Sequence, residues 1–296
     1  MQFLAYILIY PILWLISILP FRLLYAFSDF IFVWIYYIFG YRKAAVKGNL
    51  RLAFPNKSEQ ELQVIMKGFY HHLCDMILES IKSLSITESQ IIKRFKFTNL
   101  DEIEQFQKEN RSIIAICGHY ASWEWIVTLQ KYMNFKGYGV YKKLKNPYFD
   151  RLAKRIRGKY KSYLITTKET IPTLVRSNKN GELFLCGMAA DQSPKLKKAY
   201  HWNEFMGVKV PVHTGAEMIS KRLNLPVVFL DVKKVKRGHY EATFETIAKD
   251  PKSFNDYEIT DRFLKLVEQQ IRRDPQYYLW THKRWKHKNE VPKKYQ

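Results

Sequence analysis

Acidic side chains are scarce in this chain, 27 Asp and Glu against 49 Lys and Arg, which leaves a formal charge of +22. An excess of that size calls for an anionic partner: nucleic acid, an acidic membrane face or an acidic protein. Cysteine is scarce too. Cys74, Cys117 and Cys186 are widely spaced and no C-x-x-C occurs. Neither a zinc ligand set nor a disulfide framework is predicted, and reduced thiols fit. Cys117 continues an apolar run and reads as a small hydrophobe rather than a nucleophile. The G-x-S-x-G of a serine hydrolase and the H-E-x-x-H of a zinc hydrolase are both missing. No DNA- or RNA-binding motif is recognisable, so no nucleic acid is predicted in spite of the charge. The pair His71-His72 has no second ligand cluster and reads as part of a helix face, so no metal is predicted. Residues 1–21 carry no charge at all. They therefore lack the basic start of a secretory signal, and no small-residue cleavage site follows.

That charge-free run is the first positive signal. About 20 apolar residues suffice to span a bilayer core, so residues 1–21 are predicted to be a membrane anchor, kinked at Pro11. Residues 23–41 are loaded with Phe, Trp and Tyr and carry Asp29 alone among acidic groups. A lone carboxylate at bilayer depth is costly, which predicts an interfacial or core-packing helix there. Arg42, Lys43, Lys47 and Arg51 follow, and the positive-inside rule then puts the chain beyond residue 41 in the cytoplasm. The division is an anchor over residues 1–41 and one large domain over 42–296.

Within that domain, Ser58 and Glu61 form a capping box for a helix reaching about residue 84. Strands are predicted over 93–97, 112–117, 136–141, 182–188 and 226–232, with an edge strand over 240–247. Helices are predicted over 101–110, 168–178, 211–223 and 256–273, and 204–209 reads as a loop or edge. Strands alternating with helices argue an α/β fold, a mixed central sheet flanked by helices.

The stretch at residues 111–130, RSIIAICGHYASWEWIVTLQ, organises the rest. A β-branched run ends at Gly118, His119 follows, and an apolar helical pattern starts at Glu124. A strand that breaks into a helix delivers side chains to the carboxyl edge of a sheet, where open α/β sheets usually bind. On one continuous helix the H-x4-E pair would lie about 140° apart, so His119 must sit in the turn for Glu124 to reach it. Glu124 can then hold one imidazole nitrogen and raise the basicity of the other. The same spacing also suits a capping histidine beside a carboxylate that merely favours a helix N-terminus.

GHYASWEW resembles the H-x4-D/E box of glycerolipid-type acyltransferases, and more closely the G-x-H-x-G-N-W-E of the bacterial lipid A late acyltransferases. VYKKLKNPYFDRL resembles that family's Y-R-x-x-x-N-P-x-x-D block. AADQSP with EFMGVKVPVHTGAEMIS resembles its D-Q/H-x and F-x-G segments, and YLWTHKRWKH its terminal W-x-H-R-R-F/W-K. The blocks run in register over nearly the whole chain. The family's Gly-Asn is Ala121-Ser122 here, and its Tyr-Arg is Tyr141-Lys142, which exchanges a planar fork for a point charge. The resemblance implies a glycerolipid-acyltransferase-like fold in the bacterial inner membrane, facing the cytoplasm. It implies transfer of an acyl chain from an acyl-carrier protein, or from acyl-coenzyme A, to a hydroxyl of a lipid A precursor, without a cofactor. His119 would be the general base and Glu124 its orienting partner. Backbone N–H groups near Tyr120 and Ala121, with Lys142 or Arg157, are candidates for holding the oxyanion. Asn146 would fix the loop or the acceptor, beside Tyr141. Asp191 and Gln192 would position groups or be structural, and Lys283 and Arg284 would hold phosphate or form a solvated tail. Phe69 and Tyr70, with the N-terminal helix, would line an acyl slot. A lysophospholipid or amino-acid-lipid acceptor, and a non-catalytic basic membrane protein, are the competing readings.

Overall fold

In the computed structural model, which describes residues 1–295, the β-branched run forms β2, the hub of the molecule. Following the chain, α1 (Gln2–Ile18) and α2 (Phe21–Val33) come first, and α2 continues as a π-helical turn, Trp34–Phe39. Then come α3 (Lys43–Ala53), α4 (Glu59–Lys82), α5 (Glu88–Arg94), β1 (Phe95–Phe97), α6 (Asp101–Lys108) and β2 (Ile113–Cys117). A 3-10 helix, Trp123–Lys131, leads to β3 (Lys136–Tyr141), α7 (Pro147–Arg157), β4 (Tyr163–Thr166), α8 (Thr170–Lys179) and β5 (Phe184–Ala189). The rest is β6 (His201–Phe205), β7 (Val208–Val212), α9 (Gly215–Leu223), β8 (Val227–Lys236), β9 (His239–Ala248) and α10 (Glu258–Arg273).

The main sheet has seven strands in the order β1-β9-β8-β2-β5-β3-β4. Only β8 and β9 pair antiparallel, so the sheet is mixed, as predicted. Ile113, Ile114 and Ile116 are all buried, the mark of a strand covered on both faces. α10 buries Ile259, Phe263, Val267 and Ile271 at helical spacing against it. Each such side chain, fully buried, is worth roughly 1.5–3 kcal/mol of transfer free energy. The capping box stands as expected: Ser58 Oγ accepts from the Glu61 N–H at 3.2 Å, and Glu61 accepts from the Ser58 N–H at 2.8 Å.

Several expectations are corrected. Residues 208–212 are a strand, and the helix starts only at Gly215; Pro211 sits opposite Trp202 in the β6–β7 hairpin. Met206 (φ 53°) and Gly207 (φ 76°) make the tight turn, where two left-handed residues match the strand twist. The strand at 239–248 is not an edge, because β1 pairs along its outer side. Phe69 and Tyr70 line no slot: both are buried core residues, and the Tyr70 hydroxyl donates to the Tyr41 carbonyl. At the N-terminus the helix long and apolar enough to cross a membrane is Phe21–Phe39, while Gln2–Ile18 falls short of that length.

Candidate active site

The register of β2 on β5 builds the site. Cys117 pairs with Ala189, so the residues two further along, His119 and Asp191, leave the sheet side by side. The Ala190 N–H donates to the Cys117 carbonyl at 3.2 Å and carries the pairing one step past the strands. Asp191 Oδ1 then accepts from the His119 backbone N–H at 3.0 Å and lies 2.6 Å from His119 Nδ1. Asp191 is 1% exposed. Burial pushes its carboxyl up, but the His119 charge and hydrogen bonds prevail and hold it below the ordinary range. Burial likewise pushes the imidazole down. The Asp191 charge and hydrogen bond, with a smaller push from Glu124, lift it above the ordinary histidine value. The directions agree, as they should for one ion pair.

Glu124 does not hold the imidazole. Its two oxygens take a bidentate fork from Arg157, Nε at 2.7 Å and Nη2 at 2.5 Å. Two carboxylates compete for one nitrogen, and the sheet register delivers Asp191 to it. Glu124, on a 3-10 rather than an α turn, meets the permanent cation at the end of α7 instead. Ala121 adopts φ 50°, a left-handed conformation natural to the glycine the related motif carries. Its N–H is committed to the Tyr277 carbonyl at 3.0 Å, so it is not an oxyanion donor. Cys117 is a poor nucleophile: burial, with the Asp191 charge adding, pushes its thiol up to about 12.

The Asn-Pro block closes on itself. Asn146 caps α7 by accepting from the Tyr148 N–H at 2.9 Å, and Asp150 accepts from the Leu144 N–H at 2.9 Å and the Tyr141 hydroxyl at 3.3 Å. Asn146 and Tyr141 therefore shape the loop, which leaves Lys142 exposed at the end of β3. Gln192, partly buried, follows Asp191 without a comparable role.

The terminal block is not a solvated tail. Trp280, Arg284 and Trp285 are buried, while Lys283 and Lys286 are exposed. The Leu279 N–H donates to the His119 carbonyl at 3.1 Å, so residues 277–279 run antiparallel beneath the His119 turn. Arg284 Nη1 donates to the Pro211 carbonyl at 3.0 Å, and Ser193 Oγ donates to the Arg284 carbonyl at 2.5 Å. Arg284 thus lies below the site as a buried cation whose field reaches Asp191. Tyr278 lies beside it, its phenol held protonated by burial and then by the Asp191 charge. The sequence reading missed His213, an exposed residue after β7 that stands within electrostatic reach of both His119 and Asp191. Only the hairpin that sequence failed to predict brings it there. Among the described residues no group of three or more His, Cys, Asp or Glu is placed to hold a metal.

Comparison with known proteins identifies the family of the chain. The model of a family described as bacterial lipid A biosynthesis acyltransferase matches residues 1–287. The chain is 24% identical over 287 residues to a lipid A biosynthesis lauroyltransferase of Escherichia coli (strain K12), covering 96% of this chain and 92% of that protein. It is 23% identical over 250 residues to the lipid A biosynthesis palmitoleoyltransferase of the same strain, covering 83% and 79%. A lipid A biosynthesis acyltransferase of Haemophilus influenzae is 23% identical over 254 residues, covering 83% and 78%.

Proposed function

From the premise that the chain belongs to the bacterial lipid A biosynthesis acyltransferase family and is an acyltransferase, we propose that it moves a fatty acyl chain from acyl-carrier protein to a hydroxyl of a lipid A precursor, at the cytoplasmic face of the inner membrane. His119 is the general base. A carboxylate only accepts, so with Asp191 Oδ1 at 2.6 Å the proton belongs on Nδ1 and the lone pair on Nε2. Nε2 takes the proton of the acceptor hydroxyl as its oxygen attacks the thioester carbonyl. A C–O bond forms, the C–S bond breaks, and the proton passes to the departing thiolate. Asp191 orients the imidazole and stabilises the imidazolium that develops. Glu124 adds negative potential and fixes Arg157, which with Lys142 supplies positive charge toward the oxyanion.

The 2.6 Å contact at the carboxyl edge of the sheet carries this reading. It is tested by mass spectrometry of lipid A and total lipids from cells with the wild-type protein, His119→Ala or no protein. The expected result is lipid A lacking one acyl chain in both deficient strains. In vitro, His119→Ala should be about 10²–10⁴-fold slower with acyl-carrier-protein thioester. Unchanged lipid A with a shifted phospholipid or aminolipid pool would replace the acceptor; no lipid change in either strain would overturn the proposal. Preference for acyl-coenzyme A in the same assay would replace the donor.

A further inference from the structure

Most exposed large apolar side chains among the described residues fall within residues 1–41, with Leu8 at 70% and Phe39 at 72% exposure. Yet neither N-terminal helix stands away from the body. α1 is pinned at both ends. Asn146 Nδ2 donates to the Gln2 carbonyl at 3.1 Å, and Tyr6 stacks on Tyr148 at 5.6 Å. At the other end Lys82 Nζ donates to the carbonyls of Ser17 at 2.7 Å and Leu19 at 2.8 Å.

α2 lies antiparallel along α4 for its whole length. The Tyr25 hydroxyl donates to Glu79 at 2.8 Å and the Ser28 hydroxyl to Asp75 at 2.8 Å. The Phe32 ring lies 4.5 Å from that of His71, and Tyr36 lies 5.4 Å from Tyr70. Arg237, in the β8–β9 turn, bridges Asp29 at 2.6 Å and Asp75 at 2.7 Å. A span through α2 would draw Asp75, Glu79, Lys234 and Arg237 into hydrocarbon along with it, where charged groups are costly. The alternative keeps every one of these contacts. One face of each helix packs on the domain and the other meets lipid.

We propose that α1, α2 and the π-helical turn form an in-plane platform that enters one leaflet of an anionic bilayer without crossing it. The chain beyond residue 41 and the N-terminus then lie on the same side. Charge favours this occupant. Exposed Arg22 stands in the first turn of α2, Arg42 follows the π-helical turn, and Arg151 lies 5.8 Å over Tyr148, the ring on which Tyr6 of α1 stacks. An apolar face rimmed by cations matches a leaflet with anionic headgroups. The platform brings the site to the membrane lipid that the proposed function requires, and it rests on that reading only for its purpose.

Single cysteines at Gln2→Cys, Arg22→Cys and Lys288→Cys test it in the full chain, labelled with an impermeant maleimide in spheroplasts and in inverted vesicles. Cys74 and Cys186 are buried and Cys117 is partly buried, so labelling is read against the wild-type chain, which carries all three. All three positions should react from the same face. Opposite-face labelling of Gln2→Cys alone would mean that α1 crosses. Of Arg22→Cys alone it would mean a hairpin through the bilayer, and of both that α2 crosses; each overturns the proposal. The wild-type chain should also stay on vesicles of anionic phospholipid in high salt, while Leu8→Glu/Leu15→Glu/Phe39→Glu should be released at least tenfold more. A wild-type chain that fails to sediment with those vesicles would equally overturn it. None of these readouts needs acyl transfer, so failure of the enzymatic reading is seen separately.

Discussion

At the scale of single residues, the site turns on which carboxylate serves His119. Asp191→Asn removes the charge that lifts the imidazole and leaves burial, which pushes the other way. In the proposed mechanism the base form is the active one, so the rate should rise as pH climbs through the His119 pKa. In the variant that acid limb should move to lower pH while the plateau falls by about 10²–10⁴-fold, the range of general-base help. A pH–rate profile checks both. Glu124→Gln keeps its shape and loses its charge and the fork to Arg157. Because its oxygens lie on Arg157 and not on the ring, it should cost about 10–100-fold, less than Asp191→Asn, with a smaller shift of the limb. Steady-state kinetics of the two variants side by side decide the order. The H-x4-E spacing alone implies the reverse order. His119 was legible because one strand, one glycine and one turn fix it locally. The Asp191 contact was not, because it depends on how β2 and β5 pair, residues 72 apart.

Among the elements, the terminal segment does more than its sequence suggests. Residues 277–279 back the His119 turn, and Asn49 on α3 holds them by donating to the carbonyls of Trp280 and His282, each at 2.8 Å. Asn49→Ala leaves the buried Trp280 carbonyl without its partner, while the His282 carbonyl keeps the Arg284 N–H at 2.9 Å. Such a loss costs about 1–3 kcal/mol. Thermal unfolding should show the lower midpoint, and kcat should fall more than KM rises, since the turn loosens around His119. The capping box of α4 and the amphipathic stripe of α10 were legible for a common reason: each is written within a few turns of one helix. The β6–β7 hairpin was not. Its turn residues are Met206 and Gly207 rather than the Asn-Gly that marks such turns, and Pro211 read as a helix start. The basic terminal motif shows the same limit. Charge suggested a surface role for Arg284, whereas Trp280 and Trp285 carry it into the core.

For the molecule as a whole, a formal charge of +22 must be shared between two anionic surfaces, the lipid leaflet and the proposed donor. The platform helices account for few of the cations. Arg151, Lys154 and Arg155 stand exposed on α7, the helix whose last residue, Arg157, grips Glu124 beside the site. Lys154 is partly offset by Asp150 at 3.7 Å and Arg151 lies over Tyr148, which leaves Arg155 as the clearest exposed cation of the three. An acidic carrier protein docking there would bring its thioester to the carboxyl edge of the sheet, and complementary charge acts mainly on encounter. Arg155→Glu should therefore raise KM for acyl-carrier-protein thioester by roughly tenfold at low salt and progressively less as salt screens the contact. The kinetics with a short acyl-pantetheine thioester, which carries no acidic surface, should stay unchanged. Equal losses with both donors would assign α7 to the shared chemistry and not to the carrier, and loss of vesicle binding would assign it to the membrane.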